Sequence, residues 1–162
     1  MESAIDVRPI DPGAEPEIAL VASRMRATLA EVLGEKRGGA MYEMDWLKRR
    51  VRWHLDPASC DGQVFVAQDA AGWIAGHTIV RVEEEQGRRF GLFSTTYVAP
   101  EARRAAVASR LLDRGEAWMR QRGLAAAETW TDPDNTKLIR LFEGRGYALT
   151  PAGEMVRLRR PL

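Results

Sequence analysis

The sequence predicts a single domain of the mixed α/β class, with helices on both faces of a mostly antiparallel sheet of six or seven strands. The first observation is composition, because 162 residues with 45% hydrophobic and 29% charged side chains supply enough apolar material for one core. The second is periodicity, because stretches with apolar residues at spacings of three and four alternate with short runs typical of strands. No linker-like stretch divides the chain, so we expect residues 1–162 to form one domain with about four helices.

The N-terminal third has the pattern of one strand followed by two helices. Residues 4–10 are short and partly alternating, which predicts a first strand. Apolar residues recur at helical spacing from Pro16 to Leu33, which predicts a first helix. The residues from Glu35 to Ala40 are rich in glycine and charge and are predicted to be a loop. A second helix follows and is expected to end at Asp56-Pro57.

The middle of the chain predicts three antiparallel strands. The strand patterns cover residues 63–68, 73–83 and 90–98. Turn-forming residues at 69–72 and 84–87 separate them, and opposite charges flank the second turn. We therefore expect these strands to pair as a meander.

The C-terminal half returns to alternating helices and strands. Apolar residues at helical spacing follow Pro100 and predict a helix that runs to about Arg122. Residues 125–131 form a weak strand pattern and residues 135–144 a short helix pattern. A final hairpin is expected between Tyr147 and Arg159.

The start of the helix after Pro100 is unusually basic. Helix starts usually carry acidic residues, because their unpaired N–H groups have partial positive charge. Here small residues and the arginines Arg103 and Arg104 occupy this position. Such a start favours a phosphate or diphosphate ligand, and small side chains let it approach the backbone. The alternative is that both arginines are simply solvated loop residues.

Two segments resemble the sequence motifs of the GNAT family of N-acetyltransferases. Residues 103–108, Arg-Arg-Ala-Ala-Val-Ala, are similar to its coenzyme-A-binding motif, Gln/Arg-x-x-Gly-x-Gly/Ala. Asn135 and the run Leu141 to Tyr147 resemble a second motif of this family, about thirty residues further along. The resemblance implies a sheet whose fourth and fifth strands splay apart to hold the thioester of acetyl-CoA. It further implies transfer of the acetyl group to an amine by direct attack.

The resemblance also implies which residues contact the cosubstrate. The backbone of Tyr97 and Val98 would pair with the pantetheine arm, and Ser109 would add a hydroxyl. Asn135 matches a position that commonly contacts the cofactor arm, and Phe142 matches the position of a catalytic tyrosine. The residues whose amides would hold the diphosphate are Arg103, Arg104, Ala105, Ala106, Val107 and Ala108.

The sequence departs from the family pattern at two positions. Ala106 replaces the central glycine, and because this position opens a helix we expect helical angles that tolerate alanine. Phe142 has no proton to give to the leaving thiolate, although a thiolate is a fair leaving group without one. Tyr97 or an ordered water are the candidate substitutes. The same departures motivate the alternative of a catalytically weak coenzyme-A-binding sensor or partner protein.

The attacking amine must lose a proton, so a base is expected near the splayed strands. Glu128 is the first candidate, because a carboxylate is unusual among the apolar residues of this strand. Its alternative is an ion pair or an exposed edge position. His77 is a weaker candidate, since a histidine in a central strand is more often structural. No grouping of residues has metal-ligand spacing, so no metal is predicted.

The acceptor is expected beside the first two helices, as in proteins of the family. Met41, Tyr42, Met44 and Trp46 form either a partly apolar lid or part of the core at helical spacing. A formal net charge of +1 gives no support for nucleic-acid binding. A single cysteine and the lack of a signal-like or membrane-spanning run predict a cytoplasmic protein. A homodimer is compatible with the resemblance, and nothing in the sequence indicates one.

Overall fold

The computed structural model describes residues 5–38, 40, 42–103 and 106–162. In this part of the chain five α-helices are present: α1 (Glu15–Leu33), α2 (Glu35–Gly38), α3 (Met44–Leu55), α4 (Val107–Gln121) and α5 (Thr136–Glu143). The described residues also form seven strands: β1 (Asp6–Pro9), β2 (Gly62–Gln68), β3 (Ile74–Glu85), β4 (Arg88–Val98), β5 (Ala126–Thr131), β6 (Ala148–Ala152) and β7 (Met155–Pro161).

All seven strands join one sheet in the order β1-β2-β3-β4-β5-β7-β6. Neighbouring strands are antiparallel except β4 and β5, which are parallel and are connected through α4. The predicted mixed α/β class and the mostly antiparallel sheet are confirmed. The parallel pair places the ends of β4 and β5 at the same edge of the sheet, beside the start of α4.

The turn between β3 and β4 sets the register of the central hairpin. Gln86 and Gly87 have φ angles of +54° and +76°, which is the pattern of a two-residue type I′ turn. The charge pairs predicted to flank this turn are present, because Glu84 lies opposite Arg89 and Glu85 opposite Arg88. Local sequence therefore fixes how β3 pairs with β4.

The segment after α1 differs from the prediction. Glu35 to Gly38 form the short helix α2, whereas a loop was expected there. Gly38 is buried, and a side chain at this position would collide with the carbonyl group of Leu29. The glycine that indicated a loop thus allows α2 to pack closely against α1.

Two apolar clusters cover opposite faces of the sheet. One cluster lies under α1 and α3 and includes Ile18, Val51 and Ile79. The other lies under α4 and α5 and includes Phe93 and Phe142. Helices therefore flank both faces, as the sequence predicts. None of the described helices is long and apolar enough to cross a membrane.

Helix α4 approaches β4 unusually closely. A side chain at Gly115 would collide with the ring of Phe93, and one at Gly91 would collide with Met119. These two glycines let the helix lie directly on the strand. The close contact fixes the start of α4 beside the end of β4.

Candidate functional site

Strands β4 and β5 pair over a short part of their length and then separate into a fork. Within the described residues three parallel pairs join them, and the last is Phe93 with Thr129. The Thr129 hydroxyl donates a hydrogen bond of 2.9 Å to the Phe93 carbonyl oxygen at the point where the strands part. Beyond it, residues 95–98 of β4 pair with β3 alone. Their other edge faces the gap and offers backbone groups to a ligand.

A β-bulge at Ser94 lies at the point where this fork begins. Ile79 pairs with Thr95 and Val80 with Phe93, so Ser94 is an extra residue in β4. A bulge bends its strand and increases the local twist. The bulge lies directly after Phe93, the last residue of β4 that pairs with β5.

A cavity of about 680 Å³ lies along the separated half of β4. Its walls come from β4, the C-terminal part of α1, the region where α4 begins and the segment that enters α5. The lining residues are Thr28, Glu31, Thr96, Tyr97, Val98, Arg103, Ala108, Asp134, Asn135, Thr136, Lys137, Leu138, Arg140 and Leu141. Tyr97, Val98, Arg103, Ala108 and Asn135 are therefore brought together as predicted site residues.

Helix α4 begins beside the cavity with an unusual backbone conformation. Ala106, the residue that precedes the helix, has φ +58° and ψ +18°, which is the left-handed region. The expectation of helical angles at this position is wrong. Left-handed angles strain alanine more than glycine, because the alanine Cβ crowds the backbone. The glycine that is typical of this position in the family thus has a clear steric reason.

The start of α4 has the features of an anion site within the described residues. No acidic residue lies in its first turn, and no side chain caps its N–H groups. The unpaired N–H groups of a helix start favour negative charge. Arg104 and Ala105 lie outside the described residues, so their predicted contacts with a diphosphate stay a prediction. Val107 is buried, and Ala108 faces the cavity.

Three charged residues bridge the mouth of the cavity. Glu31 of α1 accepts hydrogen bonds from both terminal nitrogens of Arg103, at 3.3 and 3.0 Å. It also accepts one from Lys137 of α5 at 2.8 Å. Arg103 Nε donates to the carbonyl oxygen of Val98 at 3.1 Å. The guanidinium group is therefore anchored to the free edge of β4.

The predicted contact residues at α5 have clear structural partners. Asn135 caps α5, because its side-chain oxygen accepts a hydrogen bond from the Leu138 amide at 3.4 Å. Its side-chain nitrogen donates to the Thr131 hydroxyl at 3.0 Å. Asn135 also lines the cavity, so a ligand contact there would share it with the helix cap.

Phe142 and Ser109 are turned away from the cavity. Phe142 is fully buried and packs edge to face against Phe93 and Tyr147. The Ser109 hydroxyl accepts a hydrogen bond from Arg145 at 3.3 Å. Neither residue belongs to the cavity lining, so their predicted contacts with a cosubstrate find no support in this geometry.

Tyr97 lies between α1 and the central strand β3. Its ring stacks on His77 at a centroid distance of 5.9 Å, and the Arg24 guanidinium lies 5.2 Å from the same ring. His77 is fully buried, and its Nε2 lies 3.2 Å from the Thr95 hydroxyl oxygen. Burial, reinforced by the charge of Arg24, lowers the pKa of His77 to about 3. The histidine is therefore neutral at pH 7 and a weak base.

Glu128 is buried within an ion cluster instead of lining the cavity. Its Oε2 accepts hydrogen bonds from Arg88 at 3.3 Å and Arg159 at 3.1 Å. Its Oε1 lies 3.2 Å from Arg157 Nε and accepts a hydrogen bond of 3.2 Å from the Trp130 indole. Both carboxylate oxygens are therefore engaged by cationic partners in the described structure. These contacts favour the ion-pair alternative for Glu128 over the base.

The residues expected to wall an acceptor have mixed positions. Tyr42 and Trp46 are each 39% exposed and stack on one another at 4.3 Å, as a lid surface would. Met44 packs against the core under α1 and α3. Met41 lies outside the described residues. The lid alternative thus fits the two aromatic residues, and the core alternative fits Met44.

The prediction from sequence missed two members of the cavity mouth. Glu31 lies seven residues after Arg24 and three after Thr28 on α1, so all three share one helix face. This spacing was available in the sequence and marks the face that meets β4. Lys137 has no such signal, because only the tertiary fold brings α5 close to α1.

Comparison with known proteins places this geometry in a family. A model of the acetyltransferase (GNAT) family matches residues 26–147, which include the fork, the start of α4 and α5. The chain belongs to the GNAT family. The family is one of acetyltransferases, and membership does not specify the acceptor.

Individual proteins similar to this GNAT chain support the assignment. The mycothiol acetyltransferase of Propionibacterium freudenreichii subsp. shermanii is 30% identical over 111 residues, which are 68% of this chain and 34% of that protein. The chain thus spans about a third of that relative's length. The structure of an acetyltransferase from Thermus thermophilus covers 100% of both chains with a TM-score of 0.77 and 15% identity.

A second similar structure is that of the PaiA N-acetyltransferase of Thermoplasma acidophilum in complex with coenzyme A. The match spans 98% of this chain and 99% of the PaiA chain, with a TM-score of 0.74 and 14% identity. At these identities the two structures support the fold of the GNAT chain and nothing finer.

Proposed function

We propose that the cavity binds acetyl-CoA with its thioester in the fork between β4 and β5, and that an amine attacks the thioester directly in a ternary complex. The fork is the observation that carries this proposal. Residues 95–98 offer an unpaired strand edge to an extended ligand, and the start of α4 offers N–H groups to phosphate. The match to the acetyltransferase (GNAT) family supports the choice of ligand.

The lining of the cavity includes residues of α1, α4 and α5. We expect the cosubstrate to lie along α4 and α5 and the amine to approach from the side of α1 and α3. The amine nitrogen bonds to the carbonyl carbon, the carbon–sulfur bond breaks, and the amine proton passes to solvent. We assign no base, because Glu128 is held by three arginines and His77 is a weak base.

Direct attack fits the placement of the cysteine in this chain. An acyl-enzyme route would need a nucleophile at the thioester. Cys60 lies two residues before β2, with its sulfur 4.0 Å from the His54 carbonyl oxygen, and it is outside the cavity lining. Burial also raises the pKa of this thiol, which makes it a poorer nucleophile at neutral pH.

Tyr97 is the proposed proton donor to the leaving thiolate. It lines the cavity at the fork, and Phe142 is buried and has no hydroxyl. Replacement by phenylalanine removes the proton and keeps the ring between His77 and Arg24. We expect Tyr97→Phe to lower kcat by about 10- to 100-fold with little change in the KM for acetyl-CoA. Unchanged kcat would assign this proton to water.

The function is tested by measuring acetyl-CoA binding and thiol release with the same protein. Calorimetry reports binding, and a panel of small amines, amino sugars, peptide N-termini and lysine side chains reports transfer. Binding with release on at least one amine supports the proposal. Binding without release on any amine favours the catalytically weak coenzyme-A-binding protein, which the strained Ala106 and the missing tyrosine at Phe142 would explain.

A further inference from the structure

The mouth of the cavity contains a carboxylate between two cationic side chains. Glu31 Oε2 lies 3.0 Å from Arg103 Nη2, and Glu31 Oε1 lies 2.8 Å from Lys137 Nζ. The three residues come from three separate elements, and all of them line the cavity. The carboxylate thus occupies a position in which two cationic groups converge on one anion.

The donors of this bridge match a phosphate group as well as a carboxylate. The Arg103 guanidinium presents two parallel N–H donors, which is the arrangement that binds carboxylates and phosphates in the same manner. Lys137 adds a third donor from the opposite wall. The hydrogen bond from Arg103 Nε to the Val98 carbonyl holds the guanidinium beside the strand edge. The donor set is therefore built before any ligand arrives.

The bridge is exposed enough to exchange its anion. The side chains of Lys137, Glu31 and Arg103 are 72%, 42% and 32% exposed. Ion pairs at such exposure contribute little net stability, because water screens them. Hydrogen bonding from Lys137 and then from Arg103 keeps the pKa of Glu31 below its usual range, so the carboxylate is charged at pH 7. A more highly charged ligand can replace it at small cost.

We propose that Glu31 is an internal anion, and that a phosphate group of acetyl-CoA displaces it from the subsite formed by Arg103 and Lys137. The inference rests on the proposed binding of acetyl-CoA in this cavity and adds a residue to it. In the free protein Glu31 neutralises the two cations and joins α1 to α5. In the complex its side chain turns to solvent, and a phosphate takes both partners. Glu31 consequently weakens the affinity for every ligand that carries this phosphate.

The test is equilibrium binding by calorimetry at constant ionic strength, with coenzyme A and with pantetheine, which lacks the phosphates. We expect Glu31→Gln to bind coenzyme A about 3- to 10-fold more tightly, the range of one exposed charge interaction. Its affinity for pantetheine should equal that of the wild type. Lys137→Gln should weaken binding of coenzyme A by a similar factor and leave pantetheine unchanged.

A matched control comes from the other end of α1. Glu15 is an exposed carboxylate that also pairs with two cations, Lys48 and Arg52, and it lies outside the cavity lining. Glu15→Gln makes the same change in net charge, so it reports any effect of overall charge on binding. We expect its affinity for coenzyme A to equal that of the wild type.

A further ligand identifies the phosphate. If 3′-dephospho-coenzyme A keeps the gain in Glu31→Gln, the subsite holds the diphosphate, and if the gain is lost it holds the 3′-phosphate. Both results support the subsite. Equal affinity of Glu31→Gln and wild type for coenzyme A, or weaker binding by Glu31→Gln, would refute it while leaving acetyl-CoA as the ligand. Absence of binding to every variant would refute the proposed cosubstrate as well.

Discussion

Two carboxylates in this protein have similar partners and opposite surroundings. Glu128 in β5 is fully buried and contacts three partly exposed arginines. Glu31 in α1 is 42% exposed and contacts one arginine and one lysine at the mouth of the cavity. The number of cations differs little, so burial is the main physical difference between the two regions.

This difference predicts different consequences for the two regions. A buried charge has lost its hydration, so removal of its partner leaves an uncompensated charge in a medium that stabilises it poorly. An exposed charge regains water when its partner leaves, so the exchange costs little. The ion pairs of Glu128 should therefore determine stability, whereas the ion pairs of Glu31 at the mouth of the cavity are free to take part in binding.

The largest expected effect is the loss of Glu128. Glu128→Gln keeps the size of the side chain but leaves Arg88, Arg157 and Arg159 without their shared carboxylate. We expect the free energy of unfolding to fall by about 2–3 kcal/mol, measured by denaturant titration, because the arginines lose charge-assisted hydrogen bonds but stay partly hydrated. The pH dependence of kcat should keep its shape, because the contacts favour an ion pair over a base.

Glu85 provides the control for this variant. It pairs with the same Arg157 from the end of β3, but its side chain is 39% exposed. Glu85→Gln should change the free energy of unfolding by no more than about 1 kcal/mol. Equal losses of unfolding free energy in Glu128→Gln and Glu85→Gln would show that burial of the carboxylate does not determine its contribution to stability. Loss of the acidic limb, where kcat rises with pH, in the profile of Glu128→Gln would restore Glu128 as the base.

The next effect is a loss of stability in mild acid from two interior histidines. Burial lowers the pKa of His54 to about 4 and that of His77 to about 3, whereas the unfolded value is 6.5. The unfolded chain therefore binds protons that the folded chain does not, and stability falls as the pH drops below about 6.5. Between pH 7 and pH 5 the expected loss is about 2 kcal/mol for each histidine.

The contacts of His54 explain why it stays neutral. Its Nδ1 lies 2.9 Å from the Arg50 carbonyl oxygen, so Nδ1 carries the proton, and its Nε2 accepts from Arg81 at 3.0 Å. A second proton would sit on Nε2 and would point at the Arg81 guanidinium. His77→Asn should about halve the slope of stability against pH from 7 to 5, as followed by denaturant titration at several pH values. An unchanged slope would show that His77 titrates normally.

A smaller effect is expected at the start of α4, beside the mouth. Ala106 has left-handed angles, so Ala106→Gly should raise the free energy of unfolding by about 1 kcal/mol. Ala108→Gly is the matched control, because the same change within the helix should lower it by about 0.5–1 kcal/mol. Thermal unfolding of both variants shows whether each change in the free energy of unfolding is a gain or a loss. A lower stability of Ala106→Gly would mean that the left-handed angles of Ala106 cost nothing.

The strands and helices were predictable from sequence because local chemistry determines them. The hairpin turn at Gln86 and Gly87 and the opposite charges beside it fix the central register without help from distant residues. The prediction of a loop at residues 35–40 was wrong because a tertiary contact, and not local sequence, determines the structure there. Close packing of Gly38 on α1 overrides its low helix propensity, and that contact is not visible in the sequence.

The site was predictable only where a motif carries it. The motif places Arg103 and Ala108 beside the cavity, but it does not show that Ala106 is left-handed. It also assigns Phe142 to a ligand site, whereas the structure buries it against Phe93. A sequence motif records which residue types occur at a position, and the direction of each side chain depends on packing.

The smallest expected effect completes the comparison at Glu31. Glu31→Gln should change the free energy of unfolding by less than about 1 kcal/mol, and about 0.5 M salt should remove most of that change because exposed pairs are screened. The variant should thus combine near wild-type stability with altered affinity for coenzyme A. A loss as large as that of Glu128→Gln, measured by the same denaturant titration, would mean that the ion pairs of Glu31 support the fold. Burial would then fail to distinguish the two carboxylates, and exchange of Glu31 for a phosphate would be too costly to occur.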